Sequence, residues 1–165
     1  MARTKKLTLC AIFTALALGL SFVERFIPLP IFLPGIKLGL ANVVTLVALC
    51  ILDRRSAFAI LTARCLLGSL FGGLTGLAFS LSGGLVSLGV MTLALGSKKL
   101  SLYGVSVLGA AAHNIAQILV AMGLMASPLV GAYLPWLLVA SVVTGVLTGG
   151  VCAGVLRVLP REVAR

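Results

Sequence analysis

The side chains able to do chemistry are few, and they stand in apolar surroundings. Arg64 lies inside the run from Ser56 to Phe71. It sits eight residues from the start of that run, roughly 12 Å along a helix. A guanidinium at that depth either caps helix carbonyls or offers a buried cation to an anionic or strongly polar ligand. A second group is His113, Asn114 and Gln117. His113 and Gln117 are four apart and share a helix face, which Asn114 borders. This patch suits interhelical hydrogen bonding and ligand contact equally well. Asn42 lies within the run from Leu38 to Leu52. Ser80 and Ser82 precede Gly83 and Gly84, a sequence that either breaks a helix to expose amides or marks a close packing point.

The catalytic possibilities are narrow. No Walker A sequence is present, Asp53 is the only aspartate, and no nucleophile, base and acid fall into a plausible set. No catalytic residue and no cofactor are expected. The four cysteines Cys10, Cys50, Cys65 and Cys152 are far apart in sequence and lie in apolar runs. They read as small buried hydrophobes rather than disulfides or a metal site, and the lone histidine has no second metal ligand near it.

These groups need a scaffold, and the composition says which kind. Of 165 residues, 61% are hydrophobic and 10% charged, and the mean hydropathy is +1.24. A soluble domain carries roughly 25% charged residues to wet its surface. Apolar runs near 20 residues are instead the length that crosses a bilayer. The expected fold is all-α: a single domain forming an integral membrane bundle of about six transmembrane helices. The spans fall near 7–22, 38–52, 56–71, 77–95, 102–125 and 134–158. The first follows a basic stretch, but five more runs come after it and no small-residue cleavage site closes it, so it reads as a helix rather than a leader. Pro28, Pro30 and Pro34 forbid a regular helix after the first span, and the apolar loop that holds them reads as a lid. Gly72 to Gly76 form a glycine-rich corner between the third and fourth spans.

Charge sets the direction. Of 13 Lys and Arg, ten lie in tracts on one side: Arg3, Lys5, Lys6, Arg54, Arg55, Lys98, Lys99, Arg157, Arg161 and Arg165. Arg25 and Lys37 lie on the other side, and Arg64 is within a helix. The positive-inside rule then places both termini in the cytoplasm of a multi-pass cell-membrane protein. The net charge of +10 thus belongs to loops that face anionic lipid, and nucleic acid is not an expected partner. With this direction the polar residues fall at mid-depth or further out, as a pocket opening outward beneath the proline-rich loop would require. Small residues recur at four-residue spacing, at Gly68, Gly72 and Gly76, at Gly145 and Gly149, at Gly150 and Gly154, and at Ala11, Ala15 and Gly19. They serve close helix packing within the chain or docking to another membrane protein.

Six short helices, the Ala11 and Ala15 stripe and the apolar first loop resemble the substrate-binding S components of energy-coupling factor (ECF) transporters. The stretches Leu38-Gly-Leu-Ala-Asn42-Val-Val-Thr45-Leu, Phe79-Ser-Leu-Ser-Gly-Gly-Leu85 and Gly109-Ala-Ala-Ala-His113-Asn114-Ile-Ala-Gln117 are similar to the Gx transporter family. Its members often carry the label heptaprenyl diphosphate synthase component I. The resemblance implies a component that captures a small vitamin-like or isoprenoid-related molecule and works with a coupling protein and two ATPases. It implies substrate contacts at Arg64, His113, Asn114, Gln117, Asn42, Ser80 and Ser82, and coupling-protein contacts at Ala11 and Ala15. The synthase label fits the residues poorly, because prenyl transfer needs acidic clusters that hold magnesium and this chain has three acids in all. The other expectation is a non-catalytic membrane accessory subunit of polyprenyl diphosphate or quinone synthesis.

Overall fold

A computed structural model describes residues 3–26, 39–97 and 99–158. The described residues form five α-helices and two 3-10 turns, with no strand. Helix α1 is Arg3–Val23, followed by a 3-10 turn at Glu24–Phe26. Helix α2 is Asn42–Ile51, α3 is Arg54–Gly96 and α4 is Leu102–Met125. A 3-10 turn at Pro128–Tyr133 leads into α5, Leu134–Val158. The expected lid at Pro28, Pro30 and Pro34 lies outside the described residues, as do Lys37, Lys98, Arg161 and Arg165 and the side chain of Arg25.

Polar and apolar surfaces are distributed inside out. Arg64, His113, Asn114, Gln117, Ser87 and Ser141 are buried, while Leu70, Leu74, Leu93, Leu129 and Trp136 are largely exposed. Water would reverse that sorting; hydrocarbon produces it, because a polar group facing lipid finds no hydrogen-bond partner. Helices α1, α3 and α4, and α5 together with the turn before it, are each long and apolar enough to cross a membrane; α2 is apolar but shorter. The chain has the build of a multi-pass membrane protein.

Helix α3 is longer than any crossing requires. Its 43 residues would extend roughly 65 Å if straight, about twice the hydrocarbon core. It is not straight. Gly73 has φ +64° and ψ −170°, in the middle of otherwise helical backbone, a combination essentially confined to glycine. A Cβ placed on Gly84 would come within 2.5 Å of Leu61 Cδ1, although a straight helix would hold those residues roughly 34 Å apart. The chain therefore doubles back at Gly73. The corner expected over residues 72–76 is a reversal at a single residue, and the two spans expected on either side of it are the limbs of one helical hairpin.

The second helix begins later than expected, at Asn42 rather than Leu38. The buried Glu24 carboxylate accepts hydrogen bonds from the amides of Gly39 and Leu40, and Gly39 has φ +82°. The chain enters α2 through this carboxylate-held turn. Nearly every residue of α2 is buried, and the helix packs against the other four. The starts of α3 and α4 are capped by side chains. Asp53 accepts from the Ser56 amide at 2.7 Å to begin α3 and also pairs with Lys6. Ser101 accepts from the Gly104 amide at 3.2 Å to begin α4. Pro135 falls in the first turn of α5, where a missing amide costs nothing.

Packing between α4 and α5 is the most extensive in the chain, and glycine makes it close. A Cβ on Gly145 would lie 2.5 Å from Val107 Cα, and one on Gly149 would lie 2.9 Å from Tyr103 Cα. The same helices share buried hydrogen bonds between Ser106 and Thr148 at 2.6 Å, and from Asn114 Nδ2 to Ser141 Oγ at 2.8 Å and Leu137 O at 3.1 Å. By contrast Gly76 and Gly154 have open space where a Cβ would go.

Candidate functional site

The site is organised around the bare backbone of Gly83 and Gly84 on the second limb of α3. This stretch is unbroken helix, so the packing reading of the glycine pair holds over the broken-helix one. A Cβ on Gly83 would meet the His113 ring at 2.7 Å, and one on Gly84 would lie 3.3 Å from Arg64 Nη2. The imidazole and the guanidinium thus flank a single helical turn, the ring filling the space a side chain on Gly83 would take and the guanidinium bordering that of Gly84 beside Leu61.

Arg64 is buried at 5% exposure. Its Nη1 donates to Ser21 Oγ at 3.2 Å. Its Nε and Nη2 have no hydrogen-bond partner among the described residues, and Glu24 is an electrostatic partner. A buried guanidinium normally fills all its donors, since each unsatisfied one costs about 1–3 kcal/mol. Arg64 lines a cavity of about 290 Å³ between α1 and the two limbs of α3. The walls are Leu18, Gly19, Ser21, Phe22, Cys65, Gly68, Phe71 and Ser80. Phe22 and Phe71 meet edge-on, with centroids 6.5 Å apart.

Of the residues expected at a binding site, Arg64 and Ser80 share this cavity. Asn42 and His113 come together beside Gly39, where a Cβ would lie 3.0 Å from Asn42 Nδ2 and 3.2 Å from His113 Cδ2. The Asn42 amide is buried and has no partner among the described residues. Asn114 turns the other way and ties α4 to α5. Gln117 is fully buried one turn further along α4. The Ser82 hydroxyl donates to its own helix, to Ala78 O at 2.7 Å. His113, Asn42, Asn114, Gln117 and Ser82 do not line the 290 Å³ cavity. They belong to a polar interior separated from it by the thickness of the Gly83–Gly84 turn.

Two residues here go beyond the expected set. Ser21 anchors Arg64, and Glu24 links both halves of the site by holding the Gly39 turn and facing Arg64 electrostatically. Glu24 had one signal in the sequence: it is one of three acids in a chain that carries Arg64 deep inside an apolar run. Ser21 had none.

A family model described as heptaprenyl diphosphate synthase component I matches residues 13–155. The chain belongs to that family. The match to the component I family covers both limbs of α3, all of α2 and α4, and every residue of the site. No curated protein and no solved structure matches the chain. Among the described residues of this component I chain the two acids are apart: Glu24 is bonded to backbone amides, and Asp53 to Lys6 and Ser56. Among the described residues no three His, Cys, Asp or Glu converge as a metal site would need.

The structure also brings together what the sequence keeps apart. Cys50 in α2 and Cys152 in α5, far apart in sequence, come near one another where the two helices pack. On α1, Ala11 and Ala15 are exposed and a Cβ on Gly19 would meet nothing within 4 Å, so this stripe is not consumed by packing inside the chain.

Proposed function

We propose that this chain is the substrate-binding membrane component of an ECF-type transporter and takes up a small vitamin-like or isoprenoid-related molecule without catalysis of its own. The observation that carries the reading is the Arg64 guanidinium, buried beside an apolar cavity in a membrane protein with two donors unfilled among the described residues. A purely structural arginine would spend those donors on carbonyls. The exposed stripe Ala11, Ala15 and Gly19 supports a second part of the proposal, a docking face for a coupling protein that acts with two ATPases. On this reading α1, α2, the two limbs of α3, α4 and α5 make six passes, with both termini in the cytoplasm. His113, Asn42, Asn114, Gln117, Ser80 and Ser82 shape the site around Arg64.

The family description favours a second reading, a non-catalytic accessory subunit of polyprenyl diphosphate synthesis. Affinity purification of the tagged chain separates the two. Recovery of a coupling protein with its ATPases, and loss of solute uptake on Arg64→Ala, is the expected result. Recovery of a soluble prenyl synthase instead, with altered quinone chain length on deletion and uptake intact, overturns the transport reading.

A further inference from the structure

We propose that the groove at the turn between α2 and α3 binds the headgroup of an anionic phospholipid. The groove has a volume of about 580 Å³ and is lined by Leu49, Cys50, Leu52, Asp53, Arg54 and Arg55. It shares no lining residue with the Arg64 cavity, and the inference does not depend on the transport reading. Its level in the membrane follows from the hairpin. Arg54 and Gly73 end a limb of roughly 28 Å, close to the thickness of the hydrocarbon core. The groove therefore lies where hydrocarbon gives way to headgroups. Lys6 of α1 meets Asp53 at the same level, as charges kept out of hydrocarbon should.

Asp53 is already matched, by Lys6 and by the Ser56 amide. Arg54 and Arg55 are exposed, and among the described residues neither guanidinium enters a salt bridge. Two accessible guanidiniums beside leucine suit an amphiphile with a phosphate at one end and hydrocarbon at the other. A guanidinium can take two phosphate oxygens in one planar, bidentate contact. Leu49 and the half-buried Cys50 lie deeper along α2, where the start of an acyl chain would rest. Membrane orientation alone does not ask for arginine, because the positive-inside rule counts lysine and arginine alike. The pairs Lys5–Lys6 and Lys98–Lys99 are lysine. The turn that carries the groove has two adjacent arginines instead, the residue suited to phosphate.

The test titrates the full chain in detergent micelles with palmitoyl-oleoyl phosphatidylglycerol or phosphatidylcholine and counts bound lipids by native mass spectrometry. A basic residue at an anionic membrane surface favours binding roughly fivefold. The first phosphatidylglycerol should therefore bind at least about tenfold tighter than phosphatidylcholine. Arg54→Gln with Arg55→Gln should remove most of that preference. Lys99→Gln with Arg157→Gln removes the same charge from exposed residues that do not line the groove, and should keep the preference. The lipid comparison in the unaltered chain needs no variant, so it stands whatever the variants do to folding. Millimolar inorganic phosphate should not displace the bound lipid. Equal binding of the two lipids, or equal loss in the two double variants, overturns the proposal. Displacement by inorganic phosphate also overturns it, by making the site one for a free anion. None of these measurements reads uptake or recovery of ATPases, so the transport reading stands or falls separately.

Discussion

Replacing Gly145 by alanine would place a methyl group 2.5 Å from Val107 Cα and 2.9 Å from Val107 N. Ordinary carbon contacts lie at about 3.5–4.0 Å, so the α4–α5 crossing must open by roughly 1 Å. The obstacle is backbone and cannot rotate away. Overpacking of this kind costs about 1–3 kcal/mol, and the upper part of that range applies where a whole helix must move. The gain in helix propensity from glycine to alanine, up to about 1 kcal/mol, works against it. The net expectation is a loss of about 1–2 kcal/mol. Gly154 lies on the same helix with nothing within 4 Å of its Cβ position, so Gly154→Ala carries the propensity gain without the clash. The variants should differ by about 2 kcal/mol, near thirtyfold in the unfolding equilibrium constant. Titration with denaturing detergent in mixed micelles, followed by circular dichroism, measures that difference. Equal midpoints for the two variants would show that the crossing yields freely and that close approach at Gly145 is not what holds α5 on α4.

Two further outcomes follow from local geometry. Ala126 ends α4 with φ +48°, a left-handed conformation that costs a residue with a Cβ about 1 kcal/mol, so Ala126→Gly should raise the unfolding midpoint by about that amount; a lowered midpoint would contradict the cap assignment. Asp53→Ala removes the α3 cap and the Lys6 pair, for an expected loss of about 0.5–2 kcal/mol, read by the same titration. The Lys6 ammonium and the Ser56 amide hold the Asp53 carboxyl well below the usual carboxylate range. Its folded form therefore prefers the ionised state, and its contribution is complete above the unfolded value near 4 and disappears only as pH falls through the lower folded value. A contribution that grew on acidification would contradict this sign.

Long apolar segments were plain in the sequence because lipid imposes a length as well as a composition. The bounds expected for the last two helices, 102–125 and 134–158, match α4 and α5. In α1 the helix reaches back to Arg3, since a basic tail can stay helical outside hydrocarbon, where length is unconstrained. The late start of α2 could not be read, because it depends on Glu24, fifteen residues from Gly39 in sequence, and hydropathy does not report such a contact. At the site, residue type pointed to Arg64, since a cation within hydrocarbon needs a reason. Partition was beyond sequence: depth assigns His113 and Arg64 to one outward-opening pocket, but two adjacent glycines hold them on different faces of a turn. The Cys50–Cys152 approach was hidden for the same reason, as separation along the chain says little about helices that lie side by side.

The reversal at Gly73 bears on how the protein enters its membrane. Its limbs would span roughly 28 Å and 34 Å, each near the thickness of the hydrocarbon core. Moving the first limb alone would carry Arg64 into lipid with nothing opposite it, a cost of about 2.5–3.5 kcal/mol at the bilayer centre. If the limbs partition together, Gly84 on the second limb already lies against the guanidinium as it leaves water. The hairpin, rather than the single helix, is then the natural unit of insertion, and the residue that makes this interior expensive to build is sheltered by the segment that follows it from the ribosome.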